Sequence, residues 1–154
     1  MSVNGHNIIG GAYSARGSVK LQSVDATTGE TLPYEFVEAT EQEVDAAAKA
    51  AAAAYPVYRS LPATRRAEFL DAIADELDAL GEDFIAVVCR ETALPAGRIQ
   101  GERGRTSGQM RLFAQVLRRG DFLGARIDRA LPDRQPLPRP DLRQYRIGLG
   151  PVAV

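Results

Sequence analysis

The sequence predicts a mixed α/β fold, and three observations carry that prediction. Thr31–Val37 alternates apolar and polar residues with period two, the mark of a half-buried strand. Between residues 40 and 119 the apolar positions recur every three or four residues instead, which gathers them on helix faces. Residues 147–154, Ile-Gly-Leu-Gly-Pro-Val-Ala-Val, form a short apolar run with small residues, as expected of a parallel strand covered on both faces. Such a strand needs neighbours and a turn beyond its carboxyl end. No turn follows, so the chain is expected to stop at the crevice where open α/β sheets hold their ligands.

The elements follow in order. Ile8-Ile9 and then Val19 and Leu21 are short apolar or alternating runs, and Thr27-Thr-Gly-Glu30 is a turn in which Gly29 can take positive φ. With Leu32, Tyr34 and Phe36 on one face of the next strand, an N-terminal hairpin or meander is expected. Thr40-Glu-Gln-Glu43 is a capping box: the threonine oxygen accepts from an early amide and the glutamate reaches back. Val44, Ala47, Ala48, Ala51, Tyr55 and Tyr58 then share a stripe, and Pro56 is expected to kink or end that helix at Tyr55. A second helix begins near Pro62 with the stripe Ala67, Leu70, Ala74, Leu77 and Leu80, and stops at Gly81. A third covers residues 82–92. A fourth, over 98–119, carries Gly101, Gly104 and Gly108 on one face. Each interior glycine costs a helix about 1 kcal/mol, so a backbone or a ligand is expected against that face. Residues 132–140 hold four prolines, which excludes helix and predicts an extended arm over 126–146 lying on another domain or subunit.

Composition bounds the function classes. The 154 residues are 45% apolar and 25% charged, with a net charge of −1, the balance of an ordinary soluble domain. No run approaches the ~18 apolar residues of a membrane span. The opening Met-Ser-Val-Asn-Gly-His has no basic and apolar signal pattern, and Cys89 is the only cysteine. A cytoplasmic location is therefore expected. Cys89 and the lone His6 are too few soft ligands for a structural zinc site.

The net charge conceals two halves of opposite sign. Residues 1–97 hold 7 Lys+Arg against 15 Asp+Glu, and residues 98–154 hold 12 Arg against 5 Asp+Glu. These arginines are spread over helix, proline-rich segment and strand. Pairing within the chain or between subunits is favoured over nucleic-acid binding.

No constellation of reactive side chains stands out. Gly101-Glu-Arg-Gly104 lacks the preceding strand and the spacing of a phosphate loop. Cys89 follows Ile85, Val87 and Val88 on an apolar helix with no histidine near it in sequence, the setting of an inert core thiol. His6 has no partner for acid–base work, and the carboxylates of 68–83 read as a solvated helix face.

Several segments in this order resemble the N-terminal part of the aldehyde dehydrogenase superfamily, across nearly the whole chain. Asp25-Ala-Thr-Thr-Gly-Glu30 looks like the family's Asn-Pro-Ala-Thr-Gly-Glu turn. Residues 39–54 match its alanine-rich first helix, and Arg66-Ala-Glu-Phe-Leu-Asp-Ala-Ile-Ala-Asp-Glu-Leu77 its second. Glu91-Thr-Ala-Leu-Pro95 resembles Glu-Thr-Gly-Leu-Pro, with Ala93 in place of glycine. The runs Gly101-Glu-Arg-Gly-Arg-Thr106, Gln109-Met-Arg-Leu-Phe113 and residues 127–142 point to the NADP-preferring branch of α-ketoglutarate semialdehyde (2,5-dioxovalerate) and fatty aldehyde dehydrogenases. Gly150-Pro-Val-Ala-Val154 matches the strand leading to the family's oxyanion asparagine.

The resemblance implies an incomplete α/β dinucleotide-binding domain: a hairpin and four helical segments over 1–125, an oligomerisation arm over 126–146 and a first core strand over 147–154. It implies oxidation of an aldehyde to its acid with NAD or NADP, by a cysteine thiolate and a glutamate-activated water. Neither catalytic group matches a position here; Cys89 does not fit the nucleophile's motif. The chain alone is expected to be inactive and to bind no cofactor. Gly101 and Arg105 resemble tunnel-lining positions, and Arg105 would suit a substrate with a distal carboxylate; the alternative for Arg105 is a surface ion pair. A homo-oligomer, dimer or tetramer, is implied, with no nucleic acid and no membrane. Two other readings stand beside it: a non-catalytic module binding a full-length relative through the arm, and an arginine-rich nucleic-acid binder.

Overall fold

A computed structural model describes residues 3–154. Two small antiparallel hairpins come first: β1 (Asn7–Ile9) with β2 (Ala12–Ser14), and β3 (Lys20–Val24) with β4 (Thr31–Val37). They are separate sheets rather than one meander. The β3–β4 turn forms as its residues require, with Gly29 at φ 76° and its N–H donating to Asp25 O at 2.8 Å. Leu32 and Val37 are buried on β4, with Tyr34 and Phe36 half-buried.

Four helices follow: α1 (Glu41–Ser60), α2 (Ala63–Ala79), α3 (Gly81–Thr92) and α4 (Ala96–Arg119). Thr40 and Glu43 complete the predicted capping box. α1 does not end at Tyr55; it runs through Pro56 to Ser60. Proline removes one hydrogen bond, to the carbonyl of Ala52. Ala52 is exposed, so water can serve that carbonyl instead. Gly81, at φ 69°, breaks the helical run between α2 and α3.

The core lies between α2 and α4. Ala67 and Ala74 on one helix, and Ser107 and Ala114 on the other, are buried at matching seven-residue spacings. Small residues there bring the two backbones close. The helices run antiparallel, because Asp71 pairs with Arg118 at 2.6 Å while Asp75 and Asp78 both pair with Arg111, at 2.7 and 2.9 Å. Asp71, Asp75 and Asp78 of α2 are therefore not merely solvated; they face arginines of α4. Asp78 is held below the usual carboxylate range by the Ser107 hydroxyl and by Arg111. Ile85 on α3 and Ile99 on α4 extend the buried set.

The last part of the chain departs from expectation in two ways. The arm folds back on itself: β5 (Arg126–Asp128) pairs antiparallel with β6 (Leu142–Gln144), and Leu131 and Arg139 bridge further out. Backbone donors in an extended segment need acceptors, and the arm's own return limb supplies them. Residues 147–154 form no strand. A strand exists only by pairing, and no strand among the described residues lies alongside. Every paired strand in the described residues is antiparallel, so the parallel sheet implied by residues 147–154 is not present in them.

Candidate functional site

α4 starts after Pro95, whose carbonyl accepts from the N–H groups of Arg98 and Ile99 at 2.9 and 3.3 Å. Gly101 and Arg105 lie one turn apart, both exposed, and so share a face. The glycine face is open. A Cβ placed at Gly101, Gly104 or Gly108 would meet nothing within 4 Å. Nothing among the described residues makes the close approach expected there.

Arg105 is 78% exposed and directs Nε and a terminal nitrogen to Glu102 at 2.8 Å each. Arg98 reaches the other oxygen of the same carboxylate at 2.9 Å. One glutamate thus answers two guanidinium groups, and Arg105 is the main cause of its lowered pKa. The cluster keeps one net positive charge on a solvent-facing helix, with N–H donors still free to fork onto a second carboxylate. The ion pair and a substrate-facing role are compatible geometries of the same residue.

Gly101–Gly104 sits in the interior of α4, so its amides are engaged by the helix's own carbonyls. It forms no cradle for a dinucleotide phosphate. Cys89 is half-buried on α3 rather than sealed in the core. His6 packs its ring edge-on to Tyr13 at 6.1 Å.

The residue that sequence reading undervalued is Glu43. Beyond its capping role it accepts from the Ser14 hydroxyl and from the N–H of Arg16 at 3.2 Å, while its other oxygen takes the N–H and hydroxyl of Thr40 at 2.9 Å each. Only 2% of its surface is exposed. Ser14 first, then Thr40, pull its pKa down to about 2. The capping box was the signal that could have marked it. Its reach to β2 was invisible because that contact spans 29 residues of sequence.

Residues 13–137 match the Aldehyde dehydrogenase family. The chain belongs to that family, whose members use NAD or NADP. It is 52% identical over 151 residues to the alpha-ketoglutaric semialdehyde dehydrogenase of Acinetobacter baylyi, covering 98% of this chain and 29% of that protein. It is 47% identical over 155 residues to alpha-ketoglutaric semialdehyde dehydrogenase 2 of Azospirillum brasilense, covering 100% and 30%. The chain thus spans 29% and 30% of the length of these two relatives. Its fold is similar to the succinate-semialdehyde dehydrogenase of Burkholderia pseudomallei, with TM-score 0.73 and 24% identity over 85% of this chain and 26% of that one. It is equally similar to an NAD-dependent benzaldehyde dehydrogenase from Corynebacterium glutamicum, with TM-score 0.73 and 19% identity over 82% and 27%. Among the described residues no helix is long and apolar enough to cross a membrane.

Proposed function

We propose that these 154 residues form the N-terminal part of an NAD(P)-dependent aldehyde dehydrogenase acting on α-ketoglutarate semialdehyde. The observation that carries this reading is 52% identity along 98% of the chain to a protein named for that activity. Residues 1–125 supply the hairpins and helices of the cofactor-binding domain, 126–146 the arm that joins subunits, and 147–154 a strand that forms when neighbouring strands are supplied. α4 faces the substrate. Gly101 leaves room for the chain of the aldehyde, and Arg105 holds the distal carboxylate by a charge-assisted fork. Glu102 steadies that guanidinium until the substrate arrives.

The 154-residue chain alone does not oxidise aldehydes. Cys89 stands on α3 without a partner able to activate it, and the Gly101–Gly104 segment cannot cradle a cofactor. Aldehyde-dependent formation of reduced nicotinamide by the purified chain would overturn this. For the substrate, the segment can replace its counterpart in the Acinetobacter baylyi relative. The chimera is expected to keep its activity, and Arg105→Gln in it should raise KM for α-ketoglutarate semialdehyde about tenfold or more. An uncharged aldehyde of similar length should be unaffected. An equal change for both aldehydes would remove Arg105 from substrate recognition.

A further inference from the structure

A cavity of about 530 Å³ lies between the end of α1, the start of α2, the turn at Asp121–Leu123 and residues 145–150. Arg59, Arg66 and Arg146 all line it, and no carboxylate does. Among the described residues none of the three is in an ion pair, although most other arginines of the helices are. Arg66 is the most telling. Its Nε is buried and has no acceptor, a donor removed from water with nothing in exchange. Arg59 lies over the Tyr55 ring, 5.5 Å from its centre. Arg146 makes one long contact, to Phe122 O at 3.5 Å, leaving its other N–H groups free to donate. Tyr58 and Tyr145 also line the cavity.

Three guanidinium groups around one space repel each other, and the aromatic walls strengthen that field by excluding water. On α2 and α4 the usual remedy is present: Asp75 and Asp78 answer Arg111, and Glu102 answers Arg105. Among the described residues this cavity holds no such answer. We infer that it is a binding site for a small dianion, a phosphate group or a dicarboxylate, with Arg66 as the central donor and Arg59 and Arg146 at the rim. Neither Gly101 nor Arg105 lines it.

Titration calorimetry of the full chain with inorganic phosphate, and separately with succinate, tests this, with ionic strength matched by sodium chloride. Saturable binding of either is expected, weakened about tenfold by Arg66→Gln and by a smaller factor by Arg59→Gln, an exposed residue at a helix end. Binding of phosphate alone would mark a phosphate site, and binding of succinate alone a dicarboxylate site. Arg105→Gln should leave the affinity unchanged. Absence of saturable heat with both anions would overturn the inference. So would binding that survives both Arg66→Gln and Arg59→Gln.

Discussion

The α2–α4 pair and residues 126–154 are comparably rich in apolar side chains, yet only the first seals any of them away, even though its own Phe69, Leu112 and Phe113 stay exposed. Ala67, Ala74 and Ala114 are sealed between two helices flanked by three ion pairs. Ile127, Leu137, Tyr145 and Leu149 stand in solvent. The difference is one of partners rather than composition. A helix pair closes its interface locally, whereas a two-stranded hairpin and a single strand have faces that only a third element can cover.

Substitutions can break that contrast most sharply in the core. Ile99→Ala on α4 should cost about 2–5 kcal/mol in a denaturant titration, while Leu149→Ala, at a fully exposed position, should stay within about 0.5 kcal/mol. Equal effects would erase the distinction between the two regions. The next effect is on acid stability, through Glu43. Its folded pKa lies near 2, below its ordinary value of 4.5. Its contribution is therefore fully present above about pH 4.5 and is lost as pH falls through 2. Glu43→Gln should lower the denaturation midpoint near neutral pH and flatten its dependence on pH in that window. A wild-type slope that persists in the variant would place the acid sensitivity elsewhere.

A smaller gain is expected at the end of α3. Ala93 has φ 57° and caps that helix in the left-handed region, which is unfavourable for any residue with a Cβ. Ala93→Gly should stabilise the chain by up to about 1 kcal/mol, once the extra freedom of glycine in the unfolded state is counted. The smallest effect belongs to the bridges on the α2–α4 flank. Arg111→Leu should cost less than about 1 kcal/mol per exposed pair, and the loss should shrink as salt is added.

Local chemistry was the legible part of the fold. The Thr40–Glu43 box, the stop at Gly81 and the boundaries of α2, α3 and α4 could be read because each rests on residues within a few positions. The resemblance even marked Ala93, where glycine is usual and where the backbone turns left-handed. What failed was non-local or depended on a competitor. Pro56 predicted a kink or an end at Tyr55, and at its exposed position the helix did not end. Prolines 132–140 excluded helix correctly, yet gave no hint that Leu131 and Arg139 would bridge. Residues 147–154 carried the right pattern for a strand without a neighbour to realise it. At the candidate site, Gly101 and Arg105 were placed on α4 as expected. The grip of Glu102 on Arg105 follows from their three-residue spacing on a helix and could have been read in advance.

One detail of the arm has a mechanical corollary. Arg139 donates through two nitrogens to the carbonyl of Arg129, at 3.3 and 2.9 Å, and Arg134 donates to that of Leu137 at 3.0 Å. The projection is braced by its own guanidinium groups, without a hydrophobic interior. Bracing of this kind narrows the shapes the hairpin adopts in water, so a surface that took it up would cost it less disorder than the ordering of an unpaired segment.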